Sequence, residues 1–169
     1  IVQGGVYFPT EAHIEPLEAV KTLLAEFIQA GGKFQGKTEV YDFKTQGSRI
    51  DEVITTRGNF KADLVILAMG SWSRNFGKQL NVSIPVLGGK GYSMITNSFK
   101  TKPKHPIMIV ERKIAVTPRK NSLRLAGTLE LVKIDFQITP RRVNAIIKGS
   151  KEYLKLPQEF AIEEVWRGL

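Results

Sequence analysis

Leu64 to Ala68 is a continuous apolar run, Leu-Val-Ile-Leu-Ala, with the length and composition of a strand buried on both faces. A strand of that kind belongs to a parallel-type sheet covered on both sides, which constrains the fold more than any other segment does. It ends in Met69-Gly70-Ser71-Trp72, then a short segment that can turn helical, Ile84-Pro85-Val86, and the glycine-rich Gly88-Gly89-Lys90-Gly91-Tyr92. A buried strand that stops at a glycine opens a gap at its carboxyl end, where a backbone can approach a ligand closely.

Around this segment the periodicities alternate between helix and strand. Residues 4–13 read as a loop, and Pro16 sits where a first helical residue tolerates a missing N–H. Leu17, Val20, Leu24, Phe27 and Ile28 recur at spacings of three and four, so a helix is predicted from Pro16 to Ala30, stopped by Gly31-Gly32. Lys33 to Arg57 alternates and is rich in β-branched and aromatic residues, with Gly47-Ser48 between two runs and a second turn at Arg57-Gly58-Asn59. Short strands are expected at Ile84–Leu87, Tyr92–Thr96, Ile107–Val110, Ile114–Thr117 and Leu123–Thr128, an antiparallel pattern. Thr139-Pro140 starts a second helix that presents Val143, Ile146, Ile147 and Tyr153 on one face, and Phe160 to Trp166 reads as a final strand.

The run Ala62-Asp63-Leu64-Val65-Ile66-Leu67-Ala68-Met69-Gly70-Ser71-Trp72-Ser73, followed by Pro85-Val86 and Lys90-Gly91-Tyr92-Ser93, resembles the FAD-dependent amino-acid oxidoreductases of the D-amino-acid oxidase superfamily. The nearest likeness is to the bacterial D-amino-acid dehydrogenase small subunits. The resemblance covers nearly the whole chain and is most specific from Lys61 to Tyr92. It implies a mixed α+β and α/β fold, an antiparallel substrate-domain sheet interleaved with part of a Rossmann-like FAD-binding domain. On that reading residues 1–83 belong to the FAD-binding domain, with its adenine-side meander, buried strand and substrate-roof loop. Residues 84–159 form the antiparallel substrate-binding domain, and 160–169 return to the FAD domain. The chain begins without Met and reads as an internal piece of something longer, because the dinucleotide fingerprint G-x-G-x-x-G does not occur in it.

The same resemblance implies FAD as cofactor, a small-molecule amino-acid substrate, and a quinone as one candidate electron acceptor. It places Val40 against the adenine edge through its backbone N–H and C=O, although a plain hairpin valine reads the same from its own residues. Ala68, Met69 and Gly70 form the expected cofactor passage, since a larger side chain at Ala68 or Gly70 would obstruct it; a tight strand-to-helix connection is the alternative. Trp72 either covers the cofactor or anchors that connection. Gly168 matches the glycine of the family's G-L-R-P motif, whose arginine clamps the substrate carboxylate. Tyr92, His13 and Arg112 are the substrate-side candidates, set against a core tyrosine, a capping or exposed histidine and a surface charge; Arg124 shares the reading of Arg112.

No residue set suggests a catalytic acid–base group, a nucleophile or a metal site, and there is no cysteine. Amino-acid oxidation by a flavin depends on orientation more than on acid–base groups. The formal charge of +9 is scattered rather than organised on a basic helix, so a nucleic-acid-binding domain is the weakest alternative. It does suit an anionic membrane surface. No run approaches the roughly 20 apolar residues of a membrane span. The expected location is the cytoplasm, with peripheral association at the inner face of the plasma membrane. A non-catalytic binding module that keeps the fold without the cofactor is the alternative function.

Overall fold

The computed structural model describes residues 2–169. Two compact units emerge: residues 8–85 form one, and residues 86–169, with the segment up to Tyr7, form the other.

In the first unit, helix α1 runs Pro16–Gln29 with Pro16 in its first turn. Ala30 and Gly32 close it by donating to Glu26 O and Phe27 O, both at 2.9 Å, and Gly31 takes φ +91°, the left-handed exit that favours glycine. The apolar stripe lies where its spacing puts it, yet none of its residues is buried. A three-stranded antiparallel sheet follows, β1 (Val40–Gln46), β2 (Arg49–Thr55) and β3 (Gly58–Phe60), in that order. Gly47 turns the first hairpin at φ +61°. The second is closed by Thr55, whose hydroxyl donates to Gly58 O at 2.6 Å and accepts from the Arg57 N–H at 3.1 Å. Phe43 of β1 meets Phe76 of the short helix α2 (Ser73–Gly77) edge-on, ring centroids 5.3 Å apart.

The buried strand expected at Leu64–Ala68 is not formed. Those residues are irregular, and Leu64 and Ile66 are 77% and 79% exposed. A strand exists only as a member of a ladder, because its N–H and C=O groups must find partners. No described residue pairs with this segment in either sheet.

The second unit is a five-stranded antiparallel sheet. In chain order its strands are β4 (Gly88–Thr96), β5 (Ile107–Ile109), β6 (Ile114–Pro118), β7 (Leu123–Val132) and β8 (Glu164–Gly168); across the sheet they run β5-β6-β7-β4-β8. Ile84–Leu87, expected as a strand, stays irregular. Instead Gly88 to Gly91, which fall between the expected strands Ile84–Leu87 and Tyr92–Thr96, belong to β4: their backbones pair with Leu129 to Val132, and Gly91 also faces Gly168. Glycine spacing signals a turn only when no neighbour supplies the ladder. β8 thus pairs with the same sheet as residues 88–132.

Helix α3 (Pro140–Tyr153) covers one face of this sheet. Its Val143 and Ile146 join Tyr92, Met94, Ile114, Val116, Leu123 and Leu125 in the core. Gly149 brings the helix close to β6, since a Cβ there would lie 2.6 Å from Ile114 Cδ1. The opposite face is uncovered, with Met108, Leu129, Leu131 and Trp166 each 49–71% exposed.

Candidate functional site

On the first unit, Val40 stands on β1, which is an edge strand. It is opposite Thr55, and the ladder bond on its flank runs from Thr56 N–H to Glu39 O at 2.9 Å. In an antiparallel pair that pattern makes Val40–Thr55 a non-hydrogen-bonded position. The N–H and C=O of Val40 therefore point out of the ladder along the open edge of β1. Val40 thus presents a donor and an acceptor side by side that the sheet's own ladder does not use.

Ala68 and Met69 lead into a 3-10 turn at Gly70–Trp72. Gly70 takes φ +53°, and a Cβ added there would meet nothing within 4 Å. Glycine is therefore favoured by backbone conformation, and the space beside it is open. Trp72 is 38% exposed, so it does not serve as the buried anchor of the connection. His13 lies exposed in the loop before α1.

On the second unit, alternation along β4 turns Lys90, Tyr92, Met94 and Thr96 toward α3 and Gly89, Gly91, Ser93 and Ile95 toward the open face. Tyr92 is 2% exposed. Its hydroxyl donates to Glu130 Oε1 at 2.8 Å and accepts from Thr139, whose Oγ1 is 3.0 Å away. This places the expected substrate contact inside the core, holding β4, β7 and the start of α3 together.

Arg112 also differs from expectation. It lies in a 3-10 turn, Val110–Arg112, rather than on a strand. Its Nε donates to Glu152 of α3 at 2.7 Å, so its charge is already matched on the helix-covered side. The space a Cβ of Gly168 would need is filled by the Trp166 ring, 2.1 Å from the ideal position. Any side chain at Gly168 would have to displace that ring.

The sequence reading missed a charged network beneath the glycine-rich end of β4. Lys90 is 1% exposed; its ammonium pairs with Asp135 and donates to Gln137 O at 3.1 Å. Asp135 also accepts from the Gln137 N–H at 2.9 Å, and Glu130 accepts from Arg142 Nε at 3.3 Å. The hydrogen bond to Asp135 holds the Lys90 pKa above the usual lysine value, outweighing burial, which acts the other way. Asp135 is held below the usual carboxylate value chiefly by Lys90, and Glu130 by the Tyr92 hydroxyl, with the Lys90 and Arg142 charges adding to it. Two cations and two carboxylates thus balance; of the four only Lys90 is removed from water, and Asp135 supplies the counter-charge it requires. Arg167 adds a brace, its Nε donating to Phe136 O at 2.8 Å. Lys90 and Glu130 lay just outside the expected strands Tyr92–Thr96 and Leu123–Thr128, and Asp135 lies in a connection, so alternation marked none of them.

The chain matches, over residues 1–169, the family described as FAD dependent oxidoreductase. It is 36% identical over 169 residues to a D-amino acid dehydrogenase of Vibrio atlanticus, covering 98% of this chain and 40% of that protein. A Helicobacter pylori protein of the same name is 33% identical over 132 residues, covering 76% of this chain and 31% of its own length. The chain therefore spans about two fifths or less of these curated relatives. L-proline dehydrogenase from P. horikoshii shares the fold at a TM-score of 0.76 and 18% identity, over 90% of this chain and 42% of that one. Glycine oxidase from Bacillus cereus does so at 0.69 and 24%, over 89% and 41%. With the family matched from end to end, the open edge at Val40 and the glycine-lined sheet stand in a known setting: the chain belongs to the FAD-dependent oxidoreductases of the D-amino-acid oxidase family.

Proposed function

We propose that this chain serves in the oxidation of a D-amino acid to the imino acid, which water hydrolyses to the 2-oxo acid. The observation that carries the reading is the 36% identity to a D-amino acid dehydrogenase over 98% of the chain. In this reaction the α-hydrogen leaves with its electron pair, and the amine nitrogen's lone pair closes the C=N bond. FAD, when bound, supplies the acceptor for that hydride. Val40 offers its backbone donor and acceptor to the adenine, and Gly70 keeps the passage beside it free of a side chain. The uncovered face of the five-stranded sheet offers a floor for the substrate, which the Lys90 and Tyr92 networks stiffen from the helix side.

On the same reading a quinone takes the electrons onward, and the protein associates peripherally with the inner face of the plasma membrane. A formal charge of +9 supports this, because basic surfaces are drawn to anionic lipid. Among the described residues no helix is long and apolar enough to cross a membrane. The test is steady-state reduction of a quinone analogue by the full-length protein with D- and L-amino acids. Turnover confined to the D-series supports the reading. A flavin-replete protein inert toward every D-amino acid refutes it.

A further inference from the structure

We propose that a strained bulge at Thr128 sets this chain's substrate preference, turning Leu129 outward as the wall of a slot for an apolar substrate side chain. The inference rests on the amino-acid substrate proposed above and names the part of it that is selected. Along β7, Leu123 and Leu125 face α3 and are 1% and 0% exposed. Unbroken alternation would send Gly127, Leu129 and Leu131 the same way. It is broken at one residue: Gly127 pairs with Tyr92 and Leu129 with Gly91, so Thr128 opposes no residue of β4. Thr128 takes φ +55°, a left-handed angle that a β-branched residue all but never adopts. Past it the phase is inverted. Glu130 faces inward to the Tyr92 hydroxyl, and Leu129 and Leu131 turn to the open face, 62% and 71% exposed.

Strain of this kind collects where a fold re-aims a side chain. Burying the two leucines would be favourable, and the Thr128 hydroxyl gains nothing in exchange, being buried without a hydrogen bond. What the bulge creates is a slot. Leu129, Gly91 and Gly168 lie in one row across β7, β4 and β8, so Leu129 and Gly168 stand two strand spacings apart, about 10 Å. The Trp166 ring covers Gly168, occupying the place a Cβ there would take, and forms the second wall. Between the walls, a Cβ on Gly91 would meet only the Thr128 carbonyl, at 3.8 Å, so the floor is open. Leu129 also leans over Gly89, its Cδ1 3.3 Å from that residue's ideal Cβ position, which closes one end. A leucine, an indole face and bare backbone at this width suit a hydrocarbon side chain and leave a cationic one without a counter-charge.

The test uses the full-length flavoprotein with D-alanine, D-norvaline and D-norleucine. A side chain that enters the slot should gain up to about fourfold in kcat/KM per methylene, so the parent's norleucine-to-alanine ratio should exceed about tenfold. Leu129→Ala should cut that ratio about threefold or more at the parent's flavin content. Thr128→Pro, whose ring holds φ at about −65°, should cut it likewise, and Thr128→Gly, free to take the left-handed angle, should keep it. A parent ratio near one, or a ratio that Leu129→Ala leaves unmoved whatever its melting temperature, overturns the proposal and leaves the bulge as a device for turning Glu130 inward. If Thr128→Pro does not fold, Leu129→Ala and Thr128→Gly decide. If the parent oxidises no D-amino acid, the proposed function fails on its own, and the slot is read by titrating the same amino acids against the flavin absorbance. Binding that tightens along the series in the parent and less so in Leu129→Ala sustains the slot. Equal tightening in both, or none in the parent, removes it.

Discussion

Replacing Gly70 separates two reasons for a glycine at the end of the Leu64–Ala68 run. At φ +53°, an alanine pays the left-handed penalty of about 1–2 kcal/mol, and a valine at least as much. No steric cost adds to this within the chain, since a Cβ there meets nothing within 4 Å. Asparagine tolerates the left-handed region, so Gly70→Asn introduces a side chain with little strain. In a protein stable by roughly 5–15 kcal/mol, a loss of 1–2 leaves nearly every molecule folded. Backbone strain alone therefore cannot empty a flavin site. If the cofactor passes beside Gly70, then Asn, Ala and Val all reduce bound flavin severalfold in the full-length protein, whatever their melting temperatures. The assay is visible flavin absorbance per mole of purified protein, set beside a thermal melt of each variant. Full occupancy in Gly70→Asn would refute the steric argument and leave glycine there for its dihedral angle only.

Other outcomes follow from the second unit. Tyr92→Phe is expected to lower the melting temperature while leaving kcat/KM unchanged, because the hydroxyl is spent on Glu130 and Thr139; altered kinetics at an unaltered melt would return Tyr92 to the substrate. Asp135 and Glu130, with depressed pKa values, contribute stability above the ordinary carboxylate range that is lost as pH falls through their lowered values. Lys90, with a raised pKa, contributes below the ordinary lysine value and loses it as pH rises through the raised one. Lys90→Met should therefore flatten both limbs of a melting-temperature profile against pH, and superimposable limbs would contradict the network. Gly149→Ala places a carbon 2.6 Å from Ile114 Cδ1; overpacking of about 1–3 kcal/mol should exceed the roughly 1 kcal/mol gain in helix propensity. A raised melt would show that α3 can shift away from β6 without loss.

What could be read from the residues divides along a physical line. Signals that act within a few positions gave the right answer: Pro16 and Gly31 bound α1, Gly47 turns the first hairpin, and Thr139-Pro140 opens α3. Each depends on a dihedral angle or a missing N–H, which the neighbouring residues fix by themselves. Signals that depend on a partner far along the chain gave a mixed result: the strands expected from Tyr92, Ile107, Ile114 and Leu123 form, whereas two segments were misread. Leu64–Ala68 has the composition of a buried strand, but composition does not provide the ladder. Gly88 to Gly91 look like a break and are a strand because Leu129 to Val132 and Gly168 complete it. The family resemblance crossed this divide for the fold and the cofactor, since it carries pairing that a single sequence cannot show.

The candidate site follows the same division. Tyr92 and Arg124 were both read as substrate-side candidates, because the residues alone could not say which face of the sheet a helix would cover. α3 settles this by burying Tyr92 and Lys90, while Arg124 and Trp166 lie on the other face. The arrangement observed is the one electrostatics favours. The cation sent inward, Lys90, has Asp135 against it, whereas the cation sent outward, Arg124, stacks on the Trp166 indole.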